Sequence, residues 1–160
     1  MSGPERVARN LRAEQFYGMG IDRLMPPGGV GYTMVPWPSA SRLKHYEDYD
    51  NSLVQEALRR PPQLREIDPV DLHSTQNSII RHHVEHYLSG EYEKTGQTSQ
   101  HDYSVGNRFP VIYRREPSPI NPSSESQNMI LAGHHRAAAA LVQGRPLRAI
   151  YLEGPWGPPR

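Results

Sequence analysis

Four groups of residues in this chain could do chemistry: Gly133-His134-His135-Arg136; Ser74-Thr75-Gln76; the acids Glu66, Asp68 and Asp71; and His82-His83-Val84-Glu85-His86. Gly133 to Arg136 stand where the apolar run Met129-Ile130-Leu131 meets an Ala-rich stretch, so polar groups sit at the junction of two apolar elements. If a helix starts there, its first turn offers unpaired backbone N–H groups and the positive end of the helix dipole, beside an arginine and two imidazoles. Such a corner suits a phosphate or another anion. Arg136 would grip phosphate oxygens through its planar fork, and His134 or His135 would give or take a proton near neutral pH. An imidazole acting as a cation would also make anion binding weaken as pH rises through about 6 to 7. The structural alternative is that these side chains only cap strand ends by hydrogen bonding.

His82-x-x-Glu85-His86 fits His-x-x-Glu-His, in which two imidazoles four apart on a helix bind zinc beside a carboxylate. The helical wheel argues against it. At 100° per residue His82, Glu85 and His86 cluster opposite the apolar stripe of Ile80, Val84, Tyr87 and Leu88, so they face water, and no metal ligand is assigned. Gly28-Gly-Val-Gly31 invites a phosphate-loop reading but lacks the Lys-Ser or Lys-Thr that such a loop requires.

The elements that must position these residues follow from pattern. A strand is expected over 129–131, a turn at Gly133, a helix beginning near Ala132 or His134, and a stop at Gly144 before Pro146. A strand over 65–67 is broken by Pro69, and apolar contact resumes at Leu72. A helix over 77–88 follows the Ser-Thr-Gln turn. Residues 90–107 read as a long loop, 109–113 as a strand with Pro110 at its start, 116–127 as a Pro- and Ser-rich excursion, and 147–152 as a last strand. Upstream, 18–38 is rich in Gly and Pro and reads as irregular, and Asp50 or Asn51 caps a helix carrying Leu53, Val54, Ala57 and Leu58 on one face.

Composition narrows the function classes. With 160 residues one modest core is the natural prior, and 18 Lys and Arg against 17 Asp and Glu leave no strong overall field for nonspecific nucleic-acid capture. The absence of cysteine excludes a disulfide framework, a thiolate zinc site and a cysteine nucleophile. No apolar run reaches membrane-spanning length and the start does not read as a signal peptide, so a soluble, cytoplasmic chain with no membrane partner is expected.

Leu131-Ala-Gly-His-His-Arg136, its small-residue helix and its closing strand resemble the box of the ParB/sulfiredoxin superfamily, especially the ParB-like nuclease domains. Asp68-Pro-Val-Asp-Leu-His-Ser-Thr-Gln76 resembles the early strand, Thr-Gln turn and first helix of that family. The resemblance covers roughly 64–153. It implies an α/β (α+β) fold, a small mixed sheet flanked by helices, with 1–63 as an irregular extension packed on the core and 154–160 as a tail. It implies that Gly133, His134, His135, Arg136, Thr75 and Gln76 bind nucleotide or nucleic-acid phosphates. Thr75 and Gln76 otherwise read as a helix-capping turn.

The resemblance further brings Glu66, Asp68 and Asp71 near the box, so the catalytic candidates are His134, His135, Glu66 and Asp68. The leading expectation is a phosphohydrolase, a nuclease or NTPase, with magnesium and ATP or CTP as cofactors. The alternatives are a nucleotide-responsive or DNA-associated binding module without turnover, and a kinase of a small hydroxyl compound. Sulfiredoxins carry a cysteine where His134 stands, so their thiol chemistry is not available. Chromosome-partition relatives carry a DNA-reading helix-turn-helix after the box; only 16 residues follow Gly144, so no sequence-specific operator binding is expected.

Overall fold

A computed structural model describes residues 13–25, 32–38, 63–76, 78–95, 109–115 and 127–152. Seven strands are described: β1 (Tyr32–Met34), β2 (Leu64–Ile67), β3 (Leu72–His73), β4 (Ser78–Ile80), β5 (Val111–Arg115), β6 (Gln127–Ala132) and β7 (Leu147–Leu152). The helices are α1 (Ile21–Leu24), α2 (Arg81–Leu88), α3 (Glu91–Thr95) and α4 (His134–Gln143), with a 3-10 turn at Pro69–Asp71. The main sheet is mixed, in the order β2-β7-β5-β6-β3, and β1 and β4 form a separate antiparallel ribbon. In the main sheet β2/β7 and β5/β6 are antiparallel, whereas β5/β7 and β3/β6 are parallel. This is the α+β architecture expected from the alternation of elements.

Helix α4 is the axis of the core. Its alanines, Ala137 to Ala140, are fully buried together with Leu141, and they pack in one apolar cluster with Ile112 and Ile130 of the sheet, Val84 and Tyr87 of α2, and Leu72. Small side chains let neighbouring elements approach the helix from several sides, so that it is buried continuously from Arg136 to Val142. The opposite sheet face holds a second buried cluster of Val111, Tyr113, Met129, Leu131, Ile150 and Leu152, as the period-2 alternation of β5, β6 and β7 requires. Parts of the N-terminal third belong to the first cluster: Ala13, Leu24, Met25, Val35 and Trp37 are buried in it. Trp37 also donates its indole N–H to the Pro69 carbonyl at 2.6 Å.

Several boundaries differ from the sequence reading. The expected helix over 77–88 begins only at Arg81, because Ser78–Ile80 pairs as strand β4 with Tyr32–Met34. Two β-branched isoleucines suit that ribbon, and tertiary pairing overrides the helical pattern around them. The Gly- and Pro-rich stretch 18–38, read as irregular, contains α1 and β1. Within the expected loop 90–107, Glu91–Thr95 is helical, and Ser89 Oγ accepts the Glu91 N–H at 3.2 Å at its start. The expected helix around Leu53 to Leu58, the Gly28 to Gly31 run and the tail lie outside the described residues.

Glycine closes both ends of α4. Gly144 is left-handed at φ 66°, and the chain folds back so that Gly18 and Gly20 donate their amides to the Leu141 and Val142 carbonyls at 2.9 and 3.2 Å. These bonds satisfy acceptors that a helix C-terminus otherwise leaves open. Gly133 has φ 93°, and a Cβ there would lie 2.6 Å from Pro110 Cβ and 2.8 Å from Pro110 Cα, whereas at Gly144 the nearest atom is Gly18 Cα at 3.3 Å. Gly133→Ala therefore combines backbone strain with a clash and is expected to cost about 2–5 kcal/mol, against about 1–2 for Gly144→Ala, in urea unfolding. Equal losses for the two variants would contradict this packing of Pro110 on the turn.

Candidate functional site

Strand β6 ends at Ala132, Gly133 turns the chain, and His134, His135 and Arg136 fill the first turn of α4. Successive helical residues project about 100° apart, so the three side chains reach three different places. His134 is buried, and its Nε2 accepts the Thr75 backbone N–H at 3.3 Å. The Thr75 hydroxyl donates to the Ile130 carbonyl at 2.5 Å and lies 3.4 Å from the same imidazole nitrogen. The Nε2 of His135 accepts the Ile80 N–H at 3.1 Å. The buried Arg136 places its guanidinium carbon 4.6 Å from the ring centre of Tyr92 and 5.4 Å from that of Tyr87.

A nitrogen that accepts an N–H must present its lone pair. Both Nε2 atoms are therefore unprotonated in this fold, and each neutral ring carries its proton on Nδ1. The cationic imidazole considered from sequence is not the form these contacts hold. Nor is either Nε2 open to act as a base, since a backbone amide already occupies it. Hydrogen bonding to backbone is what the structural alternative expects, and here the Nε2 atoms take part in it as acceptors of amides.

The structure brings some of the sequence candidates together and separates others. Thr75 and Gln76, both partly exposed, lie at the box end of α4, joined to it by the Thr75–His134 contacts; the Gln76 amide donates to the Ser78 carbonyl at 2.8 Å. Glu66 is not brought near. It lies on edge strand β2, three strand spacings or roughly 14 Å across the sheet from β6. Its register partner is Arg148, and alternation about the inward-facing Ile67 puts Glu66 on the sheet face opposite α4. Asp68 is exposed and caps the 3-10 turn, accepting the Val70 N–H at 3.1 Å, and Asp71 lies within that turn. Strand order thus sets Glu66 apart from the box histidines, while Asp68 is engaged as the cap of a 3-10 turn that packs on α4.

His82 and Glu85 are exposed and His86 half-buried, as the wheel argument required, and Glu85 pairs with Arg81 at 3.3 Å. Among the described residues no group of three or more His, Cys, Asp or Glu could hold a metal ion.

Sequence reasoning missed His83, Pro110 and the tyrosine pair. His83 is buried, and its ring meets that of His135 edge-on at 5.2 Å between centres. The signal was present: His83 falls at i+3 from Ile80 and i−4 from Tyr87, on the apolar stripe itself. Pro110 is buried against Gly133, and its carbonyl accepts the Ile150 N–H at 2.8 Å, tying the box turn to β7.

Comparison with protein-family models, with curated proteins and with solved structures finds no match to this chain. The described residues contain no helix long and apolar enough to cross a membrane.

The setting of Arg136 has a measurable consequence. A guanidinium over two rings contributes about 1–2 kcal/mol through cation–π attraction and packing of its stem. Arg136→Met keeps most of the length and removes the charge, so it should lower the urea midpoint by that free energy with no ligand present. An unchanged midpoint would contradict a stabilising role for the guanidinium over these rings.

Proposed function

We propose that this chain is a ParB/sulfiredoxin-like module that binds nucleotide or nucleic-acid phosphates at the amino end of α4, and that it does so without hydrolysing them. The observation that carries the binding half is the composition of that helix end. Ten-residue α4 starts from a left-handed glycine with no side-chain cap and no acid in its first turn. Its dipole and backbone N–H groups are therefore met by no carboxylate from the helix's own first turn, a setting that favours an anion. Thr75 and Gln76, fastened to the same end, supply neutral hydrogen-bonding groups for a ligand.

The non-catalytic half rests on what the box residues already do. Phosphoryl transfer needs a general base, or a metal held by acids. Both imidazole Nε2 atoms accept backbone amides, Glu66 lies on the far sheet face, and Asp68 caps its own turn. Arg136 contributes positive potential near the helix start while held over Tyr87 and Tyr92. This favours the nucleotide-responsive or DNA-associated module over the nuclease or NTPase, and magnesium would enter only as the counterion of bound ATP or CTP.

The test is calorimetry of the purified protein with inorganic phosphate, ATP, CTP and single-stranded DNA, with and without magnesium, run beside an assay for phosphate release. Binding without release is expected. Gln76→Glu, which sets a negative charge beside the site, should weaken binding about tenfold at low salt and less at high salt. Absence of binding in folded protein would remove the proposal, and phosphate release by the wild type would restore the hydrolase reading.

A further inference from the structure

We infer that His134 and His135 form an acid-released double clamp, holding the backbone of the Thr75 to Ile80 stretch against α4 when neutral and freeing it when protonated. Two consecutive residues of one helix accept amides from the two ends of a single segment, Thr75 at 3.3 Å and Ile80 at 3.1 Å. Protonating an Nε2 removes its lone pair and sets an N–H against an N–H, converting an attraction into a repulsion.

Placement adds to the effect. His134 and His135 are the first two residues of α4, where the helix dipole presents its positive end and disfavours an imidazolium. Arg136 follows directly, and the His83 ring from α2 faces His135 at 5.2 Å, with His82 packed on His83 at 4.2 Å. Strand β4 brings no titratable side chain. Of the acids described on elements packed against α4, Asp22 and Glu85 both pair with Arg81, Asp68 caps the 3-10 turn, and Asp71 lies within that turn. Arg148 of β7 is exposed, and Tyr151 of that strand donates its hydroxyl to Asn128. The freed segment accepts protons on both rings more readily than the clamped one, so linkage drives release as pH falls. The clamp is complete above the ordinary imidazole range of about 6.5 and weakens progressively as pH falls below that range.

Release would reach past the segment. Strand β4 pairs with β1, and α2 starts immediately after Ile80, so both lose an anchor when the Ile80 amide is freed. Loosening of Thr75 and Gln76 at the proposed phosphate site is a further consequence that rests on the reading above. The clamp itself stands without it and is tested without ligand.

Amide hydrogen exchange followed by NMR on the whole chain, corrected for the intrinsic pH dependence, reads the clamp directly. Between about pH 7.5 and about pH 5, protection at Thr75 and Ile80 should fall by about tenfold or more relative to Leu141 and Ile150 in the core. His135→Gln keeps an acceptor that does not titrate, so Ile80 should lose its pH dependence in that variant while Thr75 keeps it. Protection at Thr75 and Ile80 that stays constant, or that falls only in step with the core, overturns the clamp. A persistent pH response at Ile80 in His135→Gln overturns its assignment to His135, and the wild-type series decides the matter if that variant does not fold.

Discussion

Two backbone amides resting on two neutral imidazoles are the constraint on which the arrangement around α4 depends. The Thr75–His134 contact joins the Ser-Thr-Gln turn to α4, beside the Thr75 hydroxyl bond that joins it to the end of β6. Without the Ile80–His135 contact the amide where β4 becomes α2 would lose its described acceptor. A buried amide with no acceptor costs about 1–3 kcal/mol, the upper bound for these two part-buried ones. The imidazoles answer a geometric problem: a strand that must turn directly into a helix carries a polar amide into an apolar surround, and a side chain from another helix is needed to receive it.

The same first turn fixes a third point through Arg136, so three consecutive residues tie α4 to the Thr75 turn, to β4 and to the tyrosines of α2 and α3. This division of labour bears on the functional proposal. Residues that could be read as acid, base and phosphate clamp are each engaged by the fold. What stays available for an anion is the backbone of the helix end with its dipole, which no titration removes. A binding module follows more readily from that inventory than a catalyst.

Much of the frame was legible in the sequence because local signals agreed with the tertiary outcome. Met129 to Leu131 is extended, Gly133 turns, the helix runs to Gly144, and 147–152 is a strand, each announced by residue type. The ribbon of β1 and β4 was not legible, since Ser78–Ile80 continues a helical pattern and only its partner, far upstream, makes it a strand. Strand order was equally hidden. Nothing in Glu66 shows that β2 lies at the edge of the sheet away from β6, and so its separation from the box did not follow from the sequence. The roles of His134 and His135 were open because residue type gives an imidazole either way, as donor or acceptor, and only the position of a distant amide decides. His83 shares the apolar stripe of α2, the face opposite the one that carries the His-x-x-Glu-His pattern, and is legible from spacing alone.

The most direct measurement is the protonation state of the two rings themselves, read from imidazole nitrogen-15 chemical shifts and one-bond proton couplings in the folded protein at about pH 7.5, with the ordinary imidazole range near 6.5 as reference. The account predicts that His134 and His135 each carry the proton on Nδ1, with an unprotonated Nε2 that shows a coupling across the hydrogen bond to the amide of Thr75 or Ile80. A proton on Nε2 of either ring, or an imidazolium at that pH, would contradict it.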